Sequence, residues 1–352
     1  MTGPSTARTG HEGEQAMATA VTEQDQDKGA STRPRAGRGR GALNPRWFGF
    51  YALVAIVVLF SLLRPDTYPT MTNLTAILSN EAVGCMLAMA LFVPLVAGHY
   101  DLSIANVLTL SMICSVGMFQ EFQAPIWVAV VVPVLVGALI GLINGVAVTV
   151  VGINSLVATL ATGSCALGLA LWWTNGTIFS ENVPSGFQDL GGDLGGIPLP
   201  AVYAAVLIVV LWWASERMPV GRYLYALGDN AEAARLTGIP VTRLTIGTFV
   251  VSGSIAAFAG VVQAAVLGSG NPQVGPSLLL PAFAAVFLGG TILYLGRHNV
   301  LGTVVAVLVL AALVGGLEQL GVPFYVSPLL KGVVLLLAVA LTTGRFSKVR
   351  SH

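Results

Sequence analysis

The sequence predicts an all-α protein that crosses a membrane about ten times, with some of the helices short or broken. Apolar residues make up 55% of the chain and charged residues 9%, whereas a soluble domain carries roughly 25% charged residues. Several apolar runs reach the length of about 20 residues that a helix needs to cross a hydrocarbon layer ~30 Å thick. These runs are continuous and do not alternate with polar residues, which favours helices over the strands of a membrane barrel.

The apolar runs predict ten spans. They are residues 47–63, 78–97, 103–119, 126–150, 154–173, 200–215, 243–268, 279–295, 299–316 and 329–344. Glycine and proline interrupt several of them, as at Pro133, Pro281 and Gly289. Irregular backbone at membrane depth is tolerated where it is buried in protein or lines a cavity. Broken spans therefore favour a translocation path over a passive anchor.

The charges predict that both termini face the cytoplasm. With ten spans, the cytoplasmic connections and tail hold Arg217, Arg222, Arg235, Arg243, Arg297, Arg345, Lys348 and Arg350. The external connections hold Asp66, Glu121, Glu181, Asp189, Asp193 and Glu318, with Arg64 as the basic exception. Because arginine and lysine are enriched on the cytoplasmic side of membrane proteins, this distribution supports an even number of crossings.

Three parts of the chain are distinguished. Residues 1–46 lack apolar periodicity and are expected to form a disordered cytoplasmic extension. Residues 47–344 are expected to form the membrane domain, and residues 345–352 a cytoplasmic tail.

A polar segment, residues 216–242, separates two apolar runs. We expect Asp229 to be the N-cap of a short helix, with Glu232 as its partner in a capping box. Gly238 and Pro240 should end this helix. A helix of about nine residues, ~14 Å long, is too short to be stable alone in water. The segment is therefore expected to contact a soluble partner.

The chain shows no energy source of its own. Its lysines, Lys28, Lys331 and Lys348, lie in no phosphate-binding loop. We expect no catalytic residue, no cofactor, no metal site and no nucleic-acid partner, since the cysteines lie in apolar runs and the histidines are scattered. Active transport would need energy from another subunit.

Asp101 has two interpretations. It can accept backbone N–H bonds at the start of the next helix, or it can serve as a carboxylate of a pathway or proton relay. A relay needs further buried ionisable groups, and the apolar spans offer essentially none. A proton-driven transporter is therefore disfavoured.

Four sequence segments, in order along residues 47–344, resemble the permeases of the ribose-type ABC importer family. The segment GRYLYALGDNAEAARLTGIPV is similar to the cytoplasmic coupling loop of that family. AGHYDLSIANVLTLS, GINSLVATLATGSCALGLALWWTNGTIF and FAAVFLGGTILYLGRHNVLGT are similar to its membrane motifs. Each segment alone is weak, and the four together are specific.

The resemblance implies a permease subunit in the bacterial inner membrane. Its expected partners are a cytoplasmic ATPase subunit, an extracytoplasmic solute-binding protein, the lipid bilayer, and a second permease, as a homodimer or a related copy. The expected solute is a monosaccharide. Another small solute (a nucleoside, a signalling furanone or an amino acid), an ion-gradient-driven carrier and a non-transporting scaffold are the alternatives.

The resemblance also assigns residues to two roles. The ATPase-coupling residues are Gly228, Asp229, Asn230, Glu232, Ala233, Ala234, Arg235 and Gly238. The translocation-path residues are Asp101, Ser103, Asn154, Thr159, Gly289, Gly290 and Thr291. The chain departs from the family pattern at His99, at the pair Asn154-Ser155, and in residues 292–300, where Gly296 is the one glycine. These departures leave the solute open.

Overall fold

A computed structural model describes residues 47–294, 296–323 and 325–349. The predicted extension 1–46 and the last residues of the predicted tail, 350–352, lie outside the described residues. The long helices are α1 (Phe48–Leu63), α2 (Met71–Val96), α3 (Ile104–Gln120), α4 (Ile126–Val146), α5 (Ser155–Thr174), α7 (Leu199–Glu216), α10 (Val241–Leu267), α11 (Val274–Gly289), α12 (Val300–Gln319) and α13 (Val326–Val349).

Short elements connect these helices. They are a π-helical turn (Ala147–Val151), α6 (Ser185–Gln188), a 3-10 turn (Asp189–Gly191), α8 (Pro219–Asp229) and α9 (Ala231–Leu236). Strands β1 (Asp193–Leu194) and β2 (Ile197–Pro198) form an antiparallel hairpin in which Asp193 lies opposite Pro198. The predicted all-α class is confirmed.

Six helices in the described part of the chain are long and apolar enough to cross a membrane. They are Met71–Val96, Ile126–Val151, Ser155–Thr174, Leu199–Glu216, Val241–Leu267 and Val300–Gln319. Shorter apolar helices are Phe48–Leu63, Ile104–Gln120, Val274–Gly289 and Val326–Ala340. A multi-pass membrane protein is therefore confirmed, and the number of ten crossings stays a prediction.

The predicted span 279–295 is wrong at both ends. The helix starts at Val274 and stops at Gly289. The chain then turns, with Leu293 at φ 63° and Gly296 at φ 84°, and a left-handed backbone cannot continue a right-handed helix. The predicted tail is also partly helical, since α13 runs to Val349.

Helix α10 is the centre of the bundle and packs against α2, α3 and α4. Glycines let it approach α4 backbone to backbone. A Cβ atom at Gly253 would lie 2.2 Å from the Gly137 carbonyl oxygen, and one at Gly141 would lie 2.2 Å from the Phe249 carbonyl oxygen. Close approach at small residues is how membrane helices gain packing energy without a hydrophobic driving force.

We predict that Gly253→Ala destabilises the protein. The added methyl group has no space, and overpacking of this kind costs about 1–3 kcal/mol. Gly168→Ala in α5 is the matched control, since a Cβ there meets nothing within 4 Å. Thermal unfolding in detergent should show a lower Tm for Gly253→Ala alone, and equal Tm values for the two variants would contradict the close packing.

Candidate functional site

The polar segment between α7 and α10 forms two helices, so the single capped helix predicted there is wrong. Asp229, the predicted N-cap, is the last residue of α8. Asn230 is the actual N-cap: its Oδ1 accepts from the Ala233 backbone N–H at 3.0 Å. Asn230 breaks the helix because its backbone is extended, at φ −161°. Helix α9 is consequently six residues long and has no capping box with Asp229.

The predicted end of the short helix at Gly238 is confirmed. Gly238 has φ 84°, a left-handed conformation that glycine adopts without strain. Its N–H donates to the Arg235 carbonyl at 3.1 Å. Along α9, Glu232, Ala233 and Arg235 are exposed and Ala234 is buried. Helix α9 thus presents a charged outer face and is attached to the bundle through a small residue.

Helix α8 was missed from the sequence although signals for it exist. Pro219 occupies the first helical turn. Backbone N–H groups have no helical partner there, so the missing N–H of proline costs no hydrogen bond. Gly221 and Leu227 are buried, while Arg222 and Tyr223 are exposed. This is the pattern of a helix that lies along a protein surface.

The C-terminal end of α8 touches the loop that joins α2 to α3. A Cβ atom at Gly228 would lie 2.1 Å from the Val96 carbonyl oxygen. Gly98, in the loop, has φ 81°, and a Cβ there would lie 3.4 Å from the Gly228 Cα. Only glycine fits at position 228, because any side chain would collide with backbone. The polar segment 216–242 therefore abuts the AGHYDLSIANVLTLS motif directly.

The middle of α8 touches the loop between α11 and α12. The Tyr225 hydroxyl donates to the His298 carbonyl at 2.9 Å. The Arg297 guanidinium lies 3.6 Å from the centroid of the Tyr225 ring, a cation–π contact. Burial raises the pKa of the Tyr225 hydroxyl to about 12, although the Arg297 charge opposes this shift. The hydroxyl therefore keeps its proton and remains a donor at neutral pH.

The loop between α2 and α3 is held by a buried polar network: Asp101, Ser103, Asn144, Thr162 and Ser252. Asp101 is fully buried. Its Oδ1 accepts from the Ser103 backbone N–H at 3.0 Å and from the Ser103 hydroxyl at 2.5 Å, and its Oδ2 accepts from the Ser252 hydroxyl at 2.8 Å. A buried carboxylate is tolerated when it is hydrogen-bonded in this way.

The Asp101 network extends to two further helices. Asn144 of α4 donates to the Ser103 hydroxyl oxygen at 2.9 Å. Thr162 of α5 donates to the Asn144 side-chain oxygen at 2.6 Å. The network thus joins the loop to α4, α5 and α10. Asp101 accepts the N–H just before α3, as the capping interpretation expects, while Ser103 occupies the N-cap position.

The first turn of α5 holds the other side of the same loop. The Tyr100 N–H donates to the Ser155 hydroxyl oxygen at 3.2 Å, and the Leu102 N–H donates to the Thr159 hydroxyl oxygen at 3.0 Å. Asn154 is exposed and caps α5 by accepting from the Leu156 N–H at 2.9 Å. Thr159 and Asn154 are therefore on the same helix end, one enclosed and one facing outward.

Asn299 organises the loop after Gly289. Its Nδ2 lies 3.0 Å from the Ile292 carbonyl oxygen and 3.1 Å from that of Arg297. Its Oδ1 accepts from the Gly302 N–H at 2.6 Å. A Cβ atom at Gly289 would lie 2.5 Å from the Thr303 nitrogen, so the end of α11 and the first turn of α12 are in backbone contact.

The two other motif residues of this loop are held locally. Gly290 is buried, and a Cβ there would lie 3.0 Å from the His298 ring nitrogen Nδ1. Thr291 is partly buried, and its hydroxyl donates to the Leu288 carbonyl at 2.7 Å.

The predicted path residues and the predicted coupling residues meet at one end of the bundle. The Tyr100 ring stacks on Phe287 at 6.4 Å between centroids, and Phe287 meets His298 edge-on at 5.6 Å. This aromatic row links the Asp101 loop to the Gly289 loop, and α8 contacts both. Sequence reasoning missed the residues that make these links, namely Asn144, Thr162, Tyr225, Ser252, Arg297 and Asn299. Their one signal is that several are polar residues within or beside apolar runs.

A bundle of apolar helices long enough to cross a membrane, with a capped polar segment at one end, is the architecture of a multi-pass membrane protein. The chain belongs to the family described as "Branched-chain amino acid transport system / permease component", which it matches over residues 73–339.

Named relatives cover most of the chain. Ribose import permease protein RbsC of Haemophilus influenzae is 35% identical over 296 residues, 82% of this chain and 90% of the relative. D-allose transport system permease protein AlsC of Escherichia coli is 31% identical over 83% of this chain and 90% of its own length. Autoinducer 2 import system permease protein LsrD of Photorhabdus temperata is 31% identical over 86% and 92%. No solved structure is significantly similar.

These relatives are transport permeases, so the chain is a permease subunit of an ABC importer and not an enzyme. ATP hydrolysis belongs to a separate ATPase subunit. Family membership also implies a solute-binding protein as a partner.

We predict that Asp101→Ala strongly destabilises the loop between α2 and α3. It leaves the Ser103 amide and two hydroxyl groups without their acceptor, at about 1–3 kcal/mol for each buried unsatisfied group. Asp101→Asn, which keeps one acceptor oxygen, should be milder. The measurement is Tm and folded yield in detergent, with the exposed Asp66→Ala as control. An Asp101→Ala protein as stable as the control would contradict a structural role.

Proposed function

We propose that the chain forms the path by which a bacterial ABC importer moves a monosaccharide across the inner membrane. In this proposal ten helices cross the membrane, both termini are cytoplasmic, and the permease works as a homodimer with an ATPase and a solute-binding protein. The observation that carries the proposal is the contact of α8 with both motif loops. A segment that touches both loops can transmit a force from a partner to the path.

The position of the arginines supports a cytoplasmic site for the coupling segment. Arg217, Arg222, Arg235 and Arg243 belong to the polar segment or to the first turn of α10, and Arg297 lies on the loop that α8 touches. Arginines gathered at one end of a bundle favour the cytoplasmic side. An ATPase that uses cytoplasmic ATP would meet this end.

Coupling is proposed to begin at α9. Its exposed residues Glu232 and Arg235 would contact the ATPase, with Gly228, Asp229 and Asn230 as the joint to α8 and Gly238 as the return of the chain. Because α8 abuts Val96 and Gly98 at one point and Arg297 and His298 at another, a displacement of α9 would move both loops.

The predicted path residues are proposed to form the inner closure of the path. Asp101, Ser103, Thr159, Gly289 and Gly290 are enclosed in this conformation, so they would act by holding the loops in place. Asn154 and Thr291 are exposed and partly buried, respectively. These two side chains would be the first to meet solute when the loops part.

The relatives support a monosaccharide as the solute. Two of the three named above are, by their names, permeases for ribose and D-allose. The third imports autoinducer 2, which makes a small signalling molecule the second candidate. The family description names branched-chain amino acids, so leucine is a necessary comparison.

The proposal is tested by uptake into proteoliposomes that contain the permease, its ATPase and its binding protein. We expect labelled D-ribose to enter only with ATP, and unlabelled D-allose to compete. Preferential competition by autoinducer 2 would favour the second candidate. Uptake that needs no ATP and stops when an uncoupler is added would overturn the proposal in favour of a secondary carrier.

We predict that Glu232→Lys and Arg235→Glu uncouple ATP hydrolysis from uptake, because each inverts a charge on the exposed face of α9. Uptake should fall while Tm stays unchanged. Control reversals at the exposed residues Glu181 and Arg64 should have no effect on uptake. Normal uptake with both α9 variants, together with normal binding of the ATPase, would contradict a coupling role for α9.

We predict that Tyr225→Phe lowers ATP-driven uptake and leaves ATPase binding intact. The variant loses one hydrogen bond, to the His298 carbonyl, worth about 1 kcal/mol, and keeps the ring under Arg297. Tyr223→Phe is the matched control, since Tyr223 is exposed on the same helix. Equal uptake by both variants would show that the hydrogen bond from Tyr225 to the His298 carbonyl is not needed for coupling.

A further inference from the structure

An apolar cavity of ≈ 250 Å³ lies beside α8. It is bounded by α2, α7, α8 and α10, and its lining includes Phe92, Leu211, Leu224, Arg243, Gly247 and Thr248. No member of the Asp101 network lines it. The cavity is therefore separate from the loops proposed to close the solute path.

The lining suits a hydrocarbon chain and not a sugar. Its two hydroxyl groups already donate within their own helices: Ser215 to the Trp212 carbonyl at 3.2 Å and Thr248 to the Thr245 carbonyl at 2.7 Å. The other lining side chains, apart from Arg243, are apolar. A polyhydroxylated solute would lose its bonds to water there without replacing them, which is costly. An acyl chain would bury apolar surface instead.

Arg243 gives the cavity a charged rim. Its side chain is exposed, and within the described part of the chain it has no ion pair. Two more arginines stand next to lining residues in the sequence: Arg222 follows Gly221, and Arg217 follows Ser215 after one residue. The Arg217 guanidinium lies 5.8 Å from the Trp212 ring centroid and has no carboxylate partner among the described residues. Basic pockets between spanning helices attract anionic headgroups.

We infer that this cavity binds an anionic phospholipid from the leaflet on the coupling side, with an acyl chain in the apolar part and the phosphate at Arg243. Helix α8 forms one wall through Val220, Gly221 and Leu224. A bound acyl chain would therefore support α8 from the side opposite to its exposed residues. The inference needs the membrane class of the protein and not the identity of its solute.

Gly247 offers a clean way to fill the cavity. It lines the cavity, and a Cβ atom built on it meets nothing within 4 Å. Gly247→Leu therefore adds an apolar side chain at the cavity lining without a clash at its Cβ. Gly168→Leu is the matched control, because Gly168 is also in a helix with open space at its Cβ.

The test is native mass spectrometry of the purified full chain, titrated with phosphatidylglycerol and with phosphatidylcholine of the same acyl chains. The wild type should bind phosphatidylglycerol more tightly. Gly247→Leu should remove the tightest lipid, and Gly168→Leu should not. Arg243→Gln should weaken phosphatidylglycerol binding about fivefold and phosphatidylcholine binding less, because the choline cation already offsets the phosphate charge. Arg64→Gln is the charge control, because Arg64 lies at the C-terminal end of α1 and does not line the cavity.

Three results would overturn the inference. The first is wild-type lipid binding by Gly247→Leu; the second is equal binding of the two lipids that Arg243→Gln does not alter. A change of oligomeric state in Gly247→Leu with lipid binding unchanged would assign the cavity to a second protein copy and would also overturn it. The lipid titration does not measure ATP-driven uptake, so the proposed function is tested separately.

Discussion

The packing of α8 on the helix bundle depends on the backbone contact between Gly228 of α8 and the carbonyl of Val96. Because no side chain fits between these atoms, α8 rests directly on the end of α2 and on the loop that follows it. One turn earlier, Tyr225 holds His298 and Arg297 of the second loop. One short helix therefore spans two loops that are far apart in the sequence, and a displacement of the helix reaches both.

The loops can respond as units because each has its own internal bonds. Asp101 accepts two hydrogen bonds from Ser103 within its loop, and Asn299 donates to the Ile292 and Arg297 carbonyls within the second loop. In a medium of low polarity, unsatisfied polar groups are costly. These bonds therefore make the loops rigid, and each loop should move as one unit with α8.

The sequence was sufficient for the multi-pass class, the family resemblance and the end of α9 at Gly238. Local rules succeed there because apolar run length and glycine conformation are local properties. They failed at Asp229 because aspartate and asparagine are equally good N-caps, and the choice depends on where α8 ends against Val96. Local rules also failed for the Asp101 network. Ser252 is 151 residues away from Asp101, and hydrophobic periodicity does not predict contacts between residues so far apart in the sequence. The departures at His99, Asn154 and residues 292–300 lie at the same end of the bundle as α8, and their bearing on the solute stays a prediction.

The central claim is that α9 and the Gly289 loop move together. It is tested most directly by the distance between spin labels at Leu236 and Tyr294, which are both exposed, in a chain whose exposed Cys165 is replaced by serine. The complex with the ATPase is measured without nucleotide and with ATP trapped. We expect this distance to stay constant while the distance from Leu236 to a label at Leu194, in the hairpin, changes. A change between Leu236 and Tyr294 in a complex that still transports solute would contradict the account.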